Sequence, residues 1–592
     1  MENYESALKR SGYLVNRTFR RYLLPTFVTA IAISLNEFVD SLLVAHLLDA
    51  EAMAIVNVGS PIMLCICAIY VLMGAGGSTV YAVCVGQRDA KRAGTAFSVS
   101  MLTAVVLAVA FAAAGIAFLE PVCRLLCKEE ALLLLLPGYA RVLFLSAPLI
   151  VGLLTLSCFL PAAGSPSLAT AINVTANVVN LVCDFVYIRF FHMGVAGAAW
   201  ATFTGYAVCA VMVLVMLVRK RVRLFVSAPK IRDAREIPGI AAQGGANAIN
   251  QFGYALKGMF FNALAVRLGG ANSLIAFSVC VQTISIMSIG IQAIVDAMQP
   301  ILGTLFGQRD RAGMRSVLMM SIVYVTSISA ALVALFELFP GILFTLYNVS
   351  DPAVIEVATG AIRVFMLMFL FRALYVLYPC YARIIGYSTY AILISVADGV
   401  ALPIGVAALL SRAIGLNGVW LSFPLACALT LALVMAGNLW IGRRSKGRYR
   451  GVLLLEAPRP DDVLLDITVN ENDQSIADMS RAISRFLEEH GTDSALASKA
   501  GLLAEEMAVY TRRHKSRTAY IDVMTRVNDR AIDVEFRSDG TPFNPLVRGD
   551  EDLPDNIALI QRMPSNIAYD YMLGMNSTRI TFDRVRLEKE EG

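Results

Sequence analysis

Acidic side chains inside apolar stretches are the residues of this sequence best suited to chemistry. Asp40 lies well inside one such stretch, beside Asn36 and Glu37, and Asp184 lies inside another, one helical turn after Asn180. Because positions 180 and 184 share a helix face, their oxygen atoms can converge on one ion. An ionised carboxylate in the middle of a membrane costs at least about 2.5–3.5 kcal/mol, which favours a functional role over a span-end position or an ordinary hydrogen bond.

The stretches that contain these acids have the length and composition of membrane spans. Of 592 residues, 57% are hydrophobic and only 16% are charged, whereas about a quarter are charged in soluble globular proteins. The formal net charge of +5 is small and spread over loops, which argues against nucleic-acid binding. Apolar runs of about 20 residues, enough to cross a bilayer as a helix, predict twelve spans, at 20–46, 55–84, 96–119, 133–160, 166–190, 195–218, 243–268, 274–304, 316–339, 355–382, 388–411 and 416–441.

Basic residues between the spans predict the orientation of the chain. With twelve spans, every basic cluster falls on one side, which the positive-inside rule assigns to the cytoplasm. We therefore expect a multi-pass protein of the cell inner (cytoplasmic) membrane with both termini in the cytoplasm. The clusters precede span one and follow spans two, six, eight and twelve, and they comprise Arg17, Arg20 and Arg21; Arg88, Lys91 and Arg92; Arg219, Lys220, Arg221 and Arg223; Arg309, Arg311 and Arg315; and Arg443, Arg444, Lys446, Arg448 and Arg450.

The membrane part is predicted to be an internal duplication. Gly-Gln-Arg-Asp at 86–89 recurs at 307–310, and at the same spacing Gly194-x-x-Gly197 recurs as Gly415-x-x-Gly418. Two six-helix halves in the same orientation form a parallel repeat, in which transporters bind substrate between the halves. The predicted fold is therefore an all-α polytopic membrane protein of twelve transmembrane helices in two six-helix lobes, followed by a soluble α+β domain.

Five sequence elements follow one another in the membrane part: Asn36-x-x-Val39-Asp40, Gly86-Gln87 with its repeat, Ala163-Gly164-x-Pro166, Asn177-x-x-Asn180-x-x-x-Asp184, and Gly194-x-x-Gly197-Ala198-Ala199 with Thr202. With these elements in this order, about 440 residues of the chain resemble the multidrug and toxic compound extrusion (MATE) transporters. The resemblance implies antiport, in which a drug is exchanged for a sodium ion or proton by two rocking lobes that give access to each side in turn.

The resemblance also implies which residues bind the coupling cation. Asp40, Asn180, Asp184 and Thr202 match the cation site of the N-lobe. Two carboxylates, an amide and a hydroxyl supply hard oxygen ligands for sodium, and neighbouring carboxylates can share a proton. The residue equivalent to Asp184 in the second lobe is Gly405, so we expect this site in the N-lobe only.

Other polar residues in the spans are candidates for the substrate cavity. Tyr139 matches a position that lines the N-lobe cavity in the family, and we add Glu37, Asn177 and Asp398 to the predicted cavity. Aromatic side chains of the second lobe could contact a cationic or aromatic drug. Helix packing is an alternative role for Asp398 and for the further candidates Asp296, Gln299, Lys257 and Arg267.

A change of composition near residue 455 predicts a soluble α+β domain. The pattern indicates a strand at 463–469, amphipathic helices at 474–490 and 494–513, a short helix near 555–563, and strands at 518–526, 531–538, 566–572 and 577–584. The predicted organisation is an N-lobe at 1–218, a basic cytoplasmic linker at 219–242, a C-lobe at 243–442, a linker at 443–461 and a cytoplasmic domain at 462–592.

The tail resembles the ATP-binding fold of the GHKL superfamily, nearest to anti-sigma-factor serine kinases. The resemblance rests on Glu506, Tyr510 and His514, spaced four apart on one helix, and on Asp539-Gly540-x-Pro542-Phe543. Tyr510 replaces the magnesium-binding asparagine of the family, and the lid at 552–557 contains no glycine, which a backbone needs to approach phosphate closely. We therefore expect an inactive kinase-like domain that does not bind ATP and that binds a regulatory protein.

The favoured function is non-enzymatic efflux of small organic compounds, cationic or drug-like, with a sodium ion or proton as coupling ion and no other cofactor. A lipid-precursor flippase of related fold is one alternative, and it would favour cationic residues in the central cavity. A membrane sensor with a kinase-like cytoplasmic domain is another, although Tyr510 argues against an active kinase. The cationic residues available to a flippase are Lys257, Arg267, Arg363, Arg372 and Arg383.

Overall fold

The computed structural model describes most of the chain, and every structural statement below concerns the residues that it describes. These are residues 10–47, 50–127, 129–219, 224–347, 351–457, 463–470, 472–513, 520–528, 531–542, 544 and 565–583. The predicted short helix near 555–563 and the predicted lid at 552–557 lie outside them.

Helices dominate the described chain as far as Arg444. The first half contains α1 (Tyr13–Leu47), α2 (Ala50–Tyr70), α3 (Gly76–Gly86), α4 (Ala90–Ala117), α5 (Leu119–Leu126), α6 (Glu130–Leu133), α7 (Leu136–Phe159), α8 (Pro166–Arg189) and α9 (Gly194–Val218). The second half contains α10 (Ile237–Gly307), α11 (Arg311–Leu338), α12 (Gly341–Leu346), α13 (Pro352–Tyr375), α14 (Tyr378–Ile384), α15 (Ser388–Val396), α16 (Leu402–Ile414) and α17 (Leu416–Arg444).

Breaks in the helices fall at identifiable features. Gly270 interrupts α10 with a φ of 67°, a backbone conformation that glycine adopts without steric cost. Short π-helical turns at Val71–Ala75 and Ala397–Ala401 join α2 to α3 and α15 to α16. Such π turns are rare and often mark functional positions in helices.

Ten stretches of the described residues are long and apolar enough to cross a bilayer. They are Val58–Gly86, Ala90–Ala117, Leu136–Phe159, Pro166–Arg189, Gly194–Val218, Asn272–Gly307, Arg311–Leu338, Pro352–Ile384, Ser388–Ile414 and Leu416–Arg444. A polytopic membrane protein is therefore confirmed. The helices at predicted spans one and seven, α1 and the part of α10 before Gly270, are not among the ten, so the number twelve stays a prediction.

The ends of α3 and α10 cross at the repeated motif. A Cβ added at Gly86 would lie 2.0 Å from the backbone oxygen of Thr304, and one added at Gly307 would lie 2.2 Å from that of Val83. Real Cβ atoms do not approach other atoms this closely, so both positions require glycine. The duplicated glycine therefore makes the two halves touch at equivalent points.

The C-terminal region is an α+β fold, as predicted. Its five-stranded antiparallel sheet has the order β3-β4-β5-β7-β6, after a small β1–β2 pair at Tyr449–Arg450 and Leu455–Glu456. Two amphipathic helices, α18 (Asp473–Glu489) and α19 (Ser494–Arg513), share one hydrophobic core with this sheet. The strands are β3 (Val463–Asn470), β4 (Tyr520–Val527), β5 (Ala531–Asp539), β6 (Asn566–Met572) and β7 (Met575–Asp583).

Two compact units can be distinguished in the chain. One contains residues 21–309 and 318–437, which include most of the helical part. The other contains residues 1–20, 310–317 and 438–592. The second unit therefore combines the C-terminal sheet with the start of α1, the start of α11 and the end of α17. The domain boundaries expected from the sequence stay predictions.

Candidate functional site

A cluster of amide and hydroxyl groups in the first half contains three residues of the motifs on which the MATE resemblance rests. The Asn180 Oδ1 atom accepts a hydrogen bond from Asn36 Nδ2 at 3.4 Å, and the Asn180 Nδ2 atom donates to Thr202 Oγ1 at 3.3 Å. Asp184 lies one turn further along α8 and is completely buried. The structure thus joins α1, α8 and α9 through polar side chains at the predicted cation site.

Small residues bring α8 and α9 close enough for this contact. A Cβ added at Gly205 would lie 2.6 Å from the backbone oxygen of Ala176, so only glycine allows the two backbones to approach so closely. Cys209 Sγ donates to the backbone oxygen of Ile172 one turn away, at 3.2 Å. The close crossing places Thr202 opposite Asn180.

Proline and threonine attach α1 to α8 on the same side of the cluster. The Pro25 carbonyl accepts hydrogen bonds from Thr29 Oγ1 at 3.0 Å and from Thr170 Oγ1 at 2.9 Å. Hydroxyl groups commonly satisfy backbone near a proline in membrane helices. These threonines were not predicted from the sequence, although a threonine four residues after a proline can indicate a hydrogen bond to the proline carbonyl.

The remaining N-lobe candidates have different environments. The side chains of Glu37 and Asp40 lie outside the described residues, although the backbone of both belongs to α1. Tyr139 is 9% exposed and packs against Gly59, where a Cβ would lie 2.5 Å from its ring. Asn177 lies on α8 one turn before Asn180, and its Nδ2 atom is buried without a hydrogen-bond partner among the described residues. The roles assigned to these four stay predictions.

The second half contains a different cluster, built around Asp398 in the π-helical turn. The Tyr375 hydroxyl donates a hydrogen bond to Asp398, and Arg372 Nη2 lies 3.8 Å from the Asp398 Oδ2 atom. Lys257 lies near enough to interact electrostatically with Asp398 and Arg372. Asp398 therefore has an arginine as ion-pair partner and a lysine in its vicinity. The sequence predicted Asp398 and Lys257 as separate candidates and gave no sign that they lie near each other.

Further polar residues of the second half form hydrogen bonds within or between helices. Gln299 Nε2 donates to Thr79 Oγ1 at 3.0 Å, which links α10 to α3. Gln292 donates to Asp296 at 2.8 Å, one turn apart on α10. Arg383 is 2% exposed and donates to the backbone oxygen of Gln243 at 3.1 Å.

Two residues of the candidate nucleotide motif in the tail have contacts within the described chain. Tyr510 is 6% exposed and belongs to the hydrophobic core beneath the sheet. Asp539, at the end of β5, is ion-paired with Arg17. His514 and Phe543 lie outside the described residues.

A family model matches more than half of the chain. The MatE model aligns with residues 25–186 and 247–409, one segment in each half of the duplication. The multidrug export protein MepA of Staphylococcus saprophyticus is 22% identical over 391 residues, which cover 65% of this chain and 86% of that protein.

Solved structures resemble the helical part of the chain. An outward-facing multidrug resistance MATE family transporter of the MOP superfamily has a TM-score of 0.67 and 22% identity, covering 74% of this chain and 99% of that structure. A MOP superfamily transporter from Pyrococcus furiosus, in which a reverse polarity of the binding pocket suggests a different function, has a TM-score of 0.65 and 22% identity, covering 74% and 98%. At this identity the likeness establishes the fold.

Proposed function

Because the chain belongs to the MatE family of membrane transporters, we propose that it exports small organic compounds by sodium- or proton-coupled antiport between two alternating lobes. The family match in both halves supports a duplicated transporter. The name of the MepA relative supports multidrug export as the activity. Transport of this kind requires no enzymatic step.

One observation carries the proposal for the coupling ion, namely the polar cluster around Asn180 beside the buried Asp184. The amide of Asn180, the hydroxyl of Thr202 and the Asp184 carboxylate supply oxygen donors that suit a hard cation. A charged carboxylate cannot remain buried in a membrane without a compensating cation or proton. We infer that these residues, together with Asp40, bind sodium or a proton, and that the neutralised and charged states favour different lobe arrangements.

Reconstituted liposomes test this proposal. Purified protein should export a fluorescent cationic dye when either a sodium or a proton gradient is imposed, and Asp184→Asn should abolish that response. Asn173→Ala is the matched control, because Asn173 lies on the same helix and donates instead to Ser157 Oγ at 3.0 Å. Full gradient-driven export by Asp184→Asn would contradict the assignment.

A second candidate function, movement of an anionic lipid precursor, is favoured by one observation. Arg372 and Lys257 are two cationic side chains near Asp398 in the second half, and cationic side chains suit a diphosphate headgroup. A thermal-shift comparison separates the candidates. Stabilisation by a short-chain polyprenyl diphosphate but not by a cationic dye would favour the flippase, and the reverse would favour drug export.

We also propose that the tail is a degenerate GHKL domain that does not bind magnesium–ATP. The buried Tyr510 and the Arg17–Asp539 ion pair support this, because both groups are unavailable to a nucleotide and its metal. The full-length protein should show no magnesium-dependent binding of a fluorescent ATP analogue at micromolar concentration. Saturable binding there would restore the kinase-like function.

For the orientation, we propose that both termini and the tail are cytoplasmic. The basic clusters support this through the positive-inside rule. A reporter enzyme that functions only in the cytoplasm should be active when it is fused at residue 445. Activity of a reporter that functions only in the periplasm would show that the topology is the opposite one.

A further inference from the structure

The unit that contains the C-terminal sheet also contains the beginnings of two membrane helices. Residues 10–20 lead into α1 and residues 310–317 begin α11, and both segments belong to this unit. α1 is the first helix of the first half, and α11 lies in the second half. A single soluble domain is therefore associated with one helix of each half.

The segment that precedes α1 lies against the sheet. The backbone nitrogen of Ser11 donates to Thr468 Oγ1 on β3 at 2.9 Å. The rings of Tyr13 and Tyr520, at the start of β4, lie 4.7 Å apart. Gly12, between Ser11 and Tyr13 in the chain, has a φ of +65°, which lets the chain turn at that point. These contacts fix the backbone of the segment to the two neighbouring strands.

Arg10 connects this segment to the start of α11 and to the sheet at the same time. Its guanidinium group lies 2.7 Å from Asp310, 3.0 Å from Asp466 on β3 and 3.6 Å from Asp522 on β4. Arg537 on β5 forms a second ion pair with Asp310. Asp310 is thus held between two arginines, one from the N-terminal segment and one from the sheet.

The ion-pair network around Asp310 is almost completely buried. The side chains of Asp310, Arg537, Asp522 and Arg10 are 0%, 2%, 3% and 6% exposed. Burial alone would raise the pKa of Asp310, but Arg10 and Arg537 lower it to about 2, so the carboxylate is ionised at neutral pH. Removal of one member leaves an uncompensated buried charge, which is far more costly than loss of a surface pair.

Among the described residues, the equivalent residue in the first half has no such ion pair. Asp89 is exposed, and its described role is to accept a hydrogen bond from the backbone nitrogen of Arg92 at 2.9 Å, which caps α4. Asp310 caps α11 in the same way through Gly313. The ion pairs of Asp310 are therefore an addition to a shared capping role, and the sheet supplies the additional partners.

We propose that the sheet of the C-terminal domain is a clamp that binds the starts of α1 and α11 and holds the cytoplasmic side of the transporter closed. The proposal rests on the alternating access proposed above and extends it to regulation. α3 and α10 end in the Gly86–Gly307 contact, and α10 runs directly into Asp310. Opening toward the cytoplasm must separate the two halves at that contact. A domain bound to one helix of each half opposes the separation.

Hydrogen–deuterium exchange of the full-length protein in nanodiscs tests the clamp. Asp310→Asn should increase exchange in residues 10–20 and in β3 and β4 by roughly a hundredfold, since a buried charge network is broken. It should also increase exchange at the ends of α3 and α10, around residues 83–90 and 304–309. Arg10→Gln should act in the same direction without a change inside any helix. Asp89→Asn is the matched control and should change neither region.

Two results would overturn the clamp. In the first, both variants leave residues 10–20 as protected as in the unaltered protein. In the second, they release the segment while exchange at the ends of α3 and α10 stays unchanged. Dye export measured on the same samples distinguishes the two proposals. A protein that shows the exchange changes but exports nothing would contradict the proposed efflux and retain the clamp.

Discussion

The two halves of the duplication share their helices and the glycines at which they touch, but they differ in the charge they carry. In the first half, Asn36, Asn180 and Thr202 are joined by hydrogen bonds near the buried Asp184. In the second half, Asp398 faces two cations. A duplicated scaffold can therefore keep the contact that both halves need while the polar residues inside each half differ.

The largest effect is expected from the acids of the first half. Asp40→Asn and Asp184→Asn should each reduce gradient-driven export at least about a hundredfold, and the double variant should be little worse, because residues that act as one unit are non-additive. Glu37→Gln should have less effect, since Glu37 is not one of the four residues that the family resemblance assigns to the cation site. Export rates in liposomes measure this, and additive losses would show that the two acids act separately.

The element types of this protein were largely predictable from sequence, because helix and strand periodicity is local. The strand predicted at 463–469 is Val463–Asn470, and the strands predicted at 518–526, 531–538, 566–572 and 577–584 correspond to β4, β5, β6 and β7. Ten predicted spans have matching apolar helices. Spans one and seven contain more polar residues, and only a kink at Gly270 separates the predicted spans seven and eight, so local hydropathy alone does not determine the count.

Contacts between distant residues were not predictable in the same way. The Asn180–Thr202 pair was expected from a family resemblance, because spacing along two different helices does not show which faces meet. Asp310 was recognised only as the repeat of Asp89. Nothing in the local sequence indicates that Arg10 and Arg537 converge on Asp310, since that depends on how the tail folds against residues hundreds of positions away.

A second prediction concerns the glycines that both halves share. Gly86→Ala and Gly307→Ala should destabilise the protein by similar amounts, about 1–3 kcal/mol each, because an added methyl group meets backbone oxygen that cannot move aside. Gly258→Ala on the same helix as Gly307 is the control, since a Cβ there meets nothing within 4 Å. Melting temperatures in detergent provide the measurement. A large difference between the two variants would indicate that the crossing is not symmetric.

The charged cluster of the second half should contribute less to coupling. Asp398→Asn leaves Lys257 and Arg372 without their carboxylate, and we expect a roughly tenfold loss of export with little change in sodium or proton binding. Adding Arg372→Gln restores the charge balance and should recover part of the loss. Ion binding by calorimetry and export in liposomes separate the two effects. Loss of ion binding in Asp398→Asn would place a second coupling site in this half.

The smallest predicted effect is a pH dependence of the clamp, which arises from the buried carboxyl groups around Arg10. Burial, only partly opposed by Arg10, raises the pKa of Asp466 to about 6 from its ordinary 3.8. Burial also raises the pKa of Asp522. Asp310, held at a pKa of about 2 by its two arginines, stays ionised above pH 4.

A carboxyl whose pKa is raised in the docked state binds its proton more tightly there. The stabilisation that this proton gives to the docked state, in which the sheet binds the starts of α1 and α11, is therefore complete below pH 3.8. It disappears as the pH rises through about 6. When the pH falls from 7.5 to 5.5, protonation of Asp466 alone should increase the equilibrium constant for binding of the helix starts to the sheet about fourfold. Exchange protection of residues 10–20, corrected for the intrinsic pH dependence of amide exchange, measures the change. Asp466→Asn should remove most of it, and a pH response that survives this substitution would assign the titration to Asp522.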